Sequence, residues 1–179
     1  MSAVQSMAAT EKQPPVAAGA DAGTDHDARR LLLTFMIGAE HMAIDVVHVS
    51  EVLSRLPTTR MPHADPMAPA LTNVRGSVVP VIDLRHRLGL PPSREEPGKL
   101  LVLALTIEGE SLRIAVEADD VDRIIELPAE AVEAVPTLGL GLPRQYVEGV
   151  IRNDGEPLFL VQPNTLFDPS AACRRPDSL

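Results

Sequence analysis

Aromatic residues are nearly absent from this chain. Its 179 residues include three Phe, one Tyr and no Trp. Stacking platforms for bases or sugars are therefore not expected, and the core has to be built from Leu, Ile, Val and Ala. Cysteine is just as scarce. The single thiol, Cys173, excludes any disulfide within the chain and fits a reducing compartment such as the cytosol. Positive charge is in deficit, with 16 Lys and Arg against 25 Asp and Glu, a net charge of −9. A chain that coats nucleic acid would carry a broad basic surface instead. Long apolar runs are missing too. The longest, Leu100 to Ile107, falls far short of the roughly 20 residues a spanning helix needs. The N-terminus has neither the basic start nor the continuous apolar stretch of a signal peptide.

Sets of residues with recognisable chemistry are equally hard to find. The five histidines, His26, His41, His48, His63 and His86, show no metal-binding spacing. No G-x-S-x-G elbow occurs. The "GLGLP" stretch at 139–143 is not placed between a strand and a long helix, so it reads as a flexible loop. Acidic residues gather in "EADDVDRIIE", 117–126. On a strand these charges fall on both faces, which suits a wet edge or a protein-contact surface better than a dry acid–base pocket. With no nucleophile–base set, the chain reads as a non-enzyme that needs no metal or cofactor.

What the chain does have is strand patterning. Residues 1–28 are small, polar and acidic and read as a disordered tail. Residues 169–179 read as a second flexible end. Between them, 29–168 form the folded part. "RLLLTFMIG" and "EHMAIDV" make a hairpin, as do "KLLVLALTI" with "SLRIAVEA" and "QYVEGVIRN" with "PLFLVQP". Asp154-Gly155 is the turn signal of the last of these. "VVHVSEVLSRL" suits helix or strand, with β-branching favouring strand. "PTTRMPHADPMAPAL" reads as a structured loop. "SVVPVIDL" is a strand whose Pro80 is expected at an edge or bulge. "RHRLGLPP" is one helical turn stopped by Gly89 and Pro91. Nine or ten short strands without long helices or βαβ alternation predict an all-β fold of small barrels or sandwiches. At this length, one domain or two small subdomains sharing a core can form.

The stretch that most needs explaining is Asn73-Val74-Arg75-Gly76, set between two apolar segments. Asn73 and Gly76 tolerate tight turns. Two readings of Arg75 stand side by side. It can reach back to a carboxylate such as Asp83, or it can be an exposed anchor on a rigid turn, using the directed donors of a guanidinium.

"NVRGSVVPVIDLRHRLGL" resembles the signature of the CheW-like domains, adaptor modules of bacterial chemosensory arrays. Asn73, Arg75, Gly76, Pro80, Asp83, Leu84 and Arg85 carry the match. Colinear similarities run over about residues 31–168, through Phe35 to Gly38, Ile44-Asp45, Val49 to Val52, "LRIAVEADDVDRIIEL" and "QYVEGVI". The resemblance implies two five-stranded β-barrels around a shared hydrophobic core, with short helical turns and no catalysis. It also implies partners: the cytoplasmic tip of a chemoreceptor, the regulatory domain of a CheA-type histidine kinase, and other CheW-like domains. The implied location is the cytoplasm, at membrane-associated receptor arrays reached through those partners. Carried over by position, Arg75 is the coupling residue, with Asn73 and Gly76 forming its turn. Val49 and Glu51 are implied in receptor contact, and Val121 and Ile124 in array contacts. Departures from the pattern fall at Ala70, Val74, Ala115, Ala118 and Val161-Gln162. They leave open a decoy that binds receptor without activating kinase, or an adaptor of a specialised system such as pilus-driven motility.

Overall fold

The computed structural model describes residues 29–92, 98–136, 139, 141–153 and 155–168. The two terminal tails, Cys173 and the turn residue Asp154 lie outside the described residues.

Among the described residues, alternating apolar residues form eleven strands. They are β1 (Arg29–Ile37), β2 (Glu40–Asp45), β3 (Val49–Ser54), β4 (Thr58–Arg60), β5 (Ala70–Val74), β6 (Ser77–Ile82), β7 (Lys99–Ile107), β8 (Glu110–Ala118), β9 (Asp120–Pro128), β10 (Val147–Asn153) and β11 (Glu156–Val161). Two short helices, α1 (Leu84–Leu88) and α2 (Pro163–Leu166), follow β6 and β11. The first sheet has the order β10-β11-β2-β1-β9, the second β3-β7-β8-β6-β5-β4. Three of the pairings between successive strands are the hairpins expected from the sequence.

Each sheet has two apolar faces, which explains why the core divides into three clusters. Leu32, Ala43, Ile151, Leu158 and Leu160 fill the inside of the first barrel. Val79, Val81, Leu100, Val102 and Ala115 fill the inside of the second. A larger cluster lies between them, joining Leu33, Phe35 and Ile37 of β1 to Leu101, Leu103, Ile114 and Val116 of β7 and β8. The split follows from the period of two along a strand. On β1, Leu32 faces its own barrel while Leu33 and Phe35 face the shared core.

The expected architecture of two barrels around a shared core is observed, with one difference in strand count. The second sheet has six strands, because Thr58–Arg60, inside the proline-rich segment read as a loop, pairs antiparallel with β5. The ambiguous "VVHVSEVL" stretch divides into a 3-10 turn, Val46–His48, and then β3.

Pro80 departs from expectation. Strand β6 lies inside the second sheet, between β5 and β8, so Pro80 is not on an edge strand. It is tolerated because Val74 and Ser77 close a two-residue hairpin. Alternation from that pair makes Leu71 and Pro80 a non-hydrogen-bonded pair, so no N–H is needed toward β5. On the other side, the β8 ladder begins only at Val81.

Helix α1 is set by its caps. The Asp83 side chain accepts the Arg85 backbone N–H at 3.0 Å, and Gly89 ends the helix in the left-handed region at φ 71°. Arg85, only 3 % exposed, is paired with Asp83 at 3.4 Å and with Asp119 at 2.5 Å. Asp119 also accepts the Gly38 N–H. The Arg85–Asp119 pair thus fastens the end of β6 to the crossing point where the chain passes from the second sheet to the first.

Candidate functional site

The turn between β5 and β6 has both of its central residues at positive φ, Arg75 at 51° and Gly76 at 88°. A type I′ two-residue hairpin requires this pair of signs, and its twist matches that of the flanking strands. Glycine adopts it freely, whereas a left-handed Arg costs about 1 kcal/mol or more. The Asn73 side chain offsets part of that cost, its Oδ1 accepting the Gly76 N–H at 2.7 Å. The strained residue is also the exposed one: the Arg75 side chain is 77 % accessible.

Arg75 does not turn back to Asp83, which belongs to α1 and Arg85. Its Nε donates to Glu51 Oε2 at 2.9 Å, and Arg113 Nη2 donates to Glu51 Oε1 at 3.0 Å. One carboxylate, 15 % exposed, therefore serves two guanidiniums. Three elements that are not consecutive in the chain meet here: edge strand β3, central strand β8 and the β5–β6 turn.

A β-bulge makes the meeting possible. Val49 lies opposite Leu103 and Glu51 opposite Val102, so two residues of β3 face one step of β7. Leu103 belongs to the shared core and Val102 to the second barrel's interior. Without the bulge, Val49 and Glu51 would point the same way. With it, Val49 packs toward the shared core while Glu51 turns to the barrel-interior side. Arg113 reaches the same side because it stands two residues before Ala115, an interior residue.

The sequence-derived candidates therefore separate. Asn73, Arg75, Gly76 and Glu51 come together. Val49 shares a strand with Glu51 but faces the other way. Val121 and Ile124 belong to β9, the edge of the other sheet. Val121 packs against the shared core, and Ile124, opposite Leu33 on β1, is 57 % exposed. A second bulge between Leu33 and Phe35 is filled by Thr34, whose Oγ1 donates to the Arg123 carbonyl at 3.0 Å and accepts the Arg123 N–H at 3.2 Å.

Sequence reasoning missed Arg113. The available signal was a cation inside the apolar alternation Leu112-Arg113-Ile114 of the clearest hairpin. It also missed Val78, which stands opposite Asn73 and is largely exposed beside the turn.

Elsewhere, Arg30 joins Asp45 and donates to Glu148 at 2.6 Å. Hydrogen bonds to these two carboxylates raise its pKa further above the ordinary arginine range. Glu117 is raised from the ordinary carboxylate range, first by burial and then by the Asp83 charge. His41 lies 3.5 Å from Glu156 beside a shallow surface hollow on the first sheet. Among the described residues, no group of three or more His, Cys, Asp or Glu is gathered as a metal site would need. No described helix is long and apolar enough to cross a membrane, which leaves strands out of account.

Comparison with known proteins agrees with this geometry. The family model for the CheW-like domain matches residues 31–170. A probable chemotaxis protein CheW of Rhizobium etli is 28 % identical over 138 residues, covering 77 % of this chain and 87 % of the relative. The chemotaxis protein CheW of Treponema pallidum is 27 % identical over 145 residues, covering 79 % and 84 %. The crystal structure of the scaffolding protein TtCheW from Thermoanaerobacter tengcongensis has the same fold. It superposes with a TM-score of 0.69 at 21 % identity, covering 83 % of this chain and 94 % of that one. A barrel pair with a shared core, a turn built as Asn73-Val74-Arg75-Gly76 and a match along residues 31–170 place this chain in the CheW-like domain family.

Proposed function

We propose that this protein is a chemosensory adaptor that couples chemoreceptor signalling tips to a CheA-type histidine kinase. Arg75 acts as its polar anchor. The observation that carries this reading is the exposed Arg75 guanidinium, standing on a strained, side-chain-braced turn and tethered, among the described residues, through Nε alone. Local strain of this kind is kept where the rest of the structure holds it in place, often at binding sites. An Arg pre-oriented in this way loses little further entropy when a partner carboxylate binds its remaining donors. The names of the similar chemotaxis and scaffolding proteins support the same role. The adaptor performs no chemistry. It shifts kinase activity by favouring one receptor–kinase geometry, a coupling between two binding equilibria.

The exposed Ile124 and half-buried Val121 on β9 form a second contact face, on the opposite barrel from Arg75. Two faces on two barrels suit a protein that bridges two partners. At work the protein sits in the cytoplasm, at receptor arrays reached through those partners.

The test is kinase autophosphorylation in the presence of receptor signalling tips, with wild type titrated beside Arg75→Ala. Wild type is expected to raise activity and then, in excess, lower it as bridged partners become separated. Arg75→Ala is expected to lose most of the rise, since losing such an anchor costs about 2 kcal/mol. Activity that falls from the first addition of wild type would identify a decoy instead. Equal activation by both forms would remove Arg75 from the coupling.

A further inference from the structure

Glu51 is the only described acid hydrogen-bonded to Arg75, and it is shared. A carboxylate facing a single guanidinium normally pairs through both oxygens, engaging two N–H donors at once. Here Arg113 takes Oε1 and Arg75 spends Nε on Oε2, so Glu51 holds Arg75 through a single donor. The Arg75 Nη groups make no hydrogen bond among the described residues.

Arg113 is the better fixed of the two cations. It lies on β8, paired on one side to β7 and on the other to β6, whereas Arg75 rides on a turn. Its side chain is 38 % exposed, half the value for Arg75. If Arg75 swings to a partner, Glu51 would be left as a mostly buried carboxylate, and an unpaired charge in such a place is costly. Arg113 keeps it paired.

We propose that Arg113 is a positioning residue for the Arg75 anchor. By holding one oxygen of Glu51 it limits that carboxylate's grip on Arg75, leaves the Nη fork to a carboxylate of the partner, and neutralises Glu51 once Arg75 has moved. This rests on the reading of Arg75 as the anchor.

Two measurements separate the inference from that reading. The first needs no partner. NMR of the arginine side-chain N–H groups, assigned with Arg75→Ala, would compare wild type with Arg113→Met. Glu51 is expected to close on Arg75 with both oxygens in the variant, shifting the Arg75 Nε–H resonance and slowing Nη exchange with water. An Arg75 signal identical to wild type in shift and exchange would overturn the proposal.

The second is a double-mutant cycle on binding to a purified chemoreceptor signalling-tip fragment. Arg113→Met should weaken binding about five- to tenfold, a range typical of coupled neighbours. It should have less than a twofold effect in an Arg75→Ala background, and Arg113→Lys should restore part of the loss. An equal loss in both backgrounds would make Arg113 an independent contact and sink the positioning role. If Arg75→Ala itself leaves binding unchanged, the anchor reading falls, and Arg113 is then judged on the NMR result alone. Backbone amide spectra of each variant identify a fold defect, against which the lysine rescue is the control.

Discussion

Two charges removed from water in this protein, one paired and one unpaired among the described residues, each predict a measurable cost. Arg85 is almost fully buried between Asp83 and Asp119. Arg85→Ala would leave Asp119 without its strongest partner, and breaking such a pair typically costs about 3 kcal/mol. Urea denaturation should show that loss as a lower midpoint. Glu117 is the opposite kind of case, because burial and the Asp83 charge raise its pKa and outweigh Arg85, Arg55 and Arg60. A carboxyl with a raised folded-state pKa favours folding fully below its unfolded pKa. It loses that contribution as pH rises through the folded value. Glu117→Gln should therefore gain stability relative to wild type as pH increases from about 4 toward neutrality. Denaturation midpoints of the two proteins across that range provide the check, and a constant difference would refute it.

Turns and edges decide how the elements are placed. The β5–β6 turn combines a left-handed Arg with a left-handed Gly, so Gly76→Ala should cost about 1 kcal/mol through backbone strain alone. Thermal unfolding would read this as a shift of a few degrees for a domain of this size. Strand β10 is an edge of the first sheet, but Glu133 forms an isolated bridge to Val150 and covers part of it. That cover depends on Gly149. A Cβ there would lie 2.3 Å from Val132 Cγ1 and 2.8 Å from the Glu133 carbonyl oxygen. Gly149→Ala is thus expected to push the covering segment away, destabilise the fold by about 1–3 kcal/mol and expose a strand edge that favours association. Light scattering on heating, compared with wild type, would reveal it. At the other edge, β9 carries Asp120, Asp122, Arg123 and Glu126, charges that discourage pairing with a stray strand.

The shared cluster joins residues of both sheets, so the two barrels are expected to unfold as one cooperative unit. Leu103 touches neither barrel's private interior but packs among residues of both sheets. Leu103→Ala should cost about 2–5 kcal/mol, as buried Leu truncations do. Its effect should reach both barrels at once. Hydrogen exchange of β1 and β7 amides is expected to collapse at the same denaturant concentration. Separate transitions would show that the barrels fold independently. At this scale the charge is also divided. Arg30 is surrounded by two carboxylates on the first sheet, while Glu51 is surrounded by two guanidiniums on the second. These two ion clusters therefore carry opposite excess charge, although the chain as a whole is strongly acidic.

Several features could be read from the chain directly because they are local. The hairpins follow from period-two alternation between turn residues, the α1 stop from Gly89, and the strained turn from Asn73 and Gly76. The family signature is likewise a short contiguous string. Partners brought together across the fold could not be read in this way. Nothing in the sequence near Arg75 selects Glu51, 24 residues away, over the nearer Asp83. The choice depends on a bulge in β3 that turns Glu51 inward and on the short α1 helix that occupies Asp83. Pro80 inside a central strand was hidden for a similar reason, since its tolerance depends on where the β8 ladder begins. Composition and periodicity determined an all-β fold of small barrels or sandwiches, and the pair of barrels was implied by the resemblance to the CheW-like domains. Long-range register decided which charges meet at the turn, because register depends on packing between strands distant in sequence.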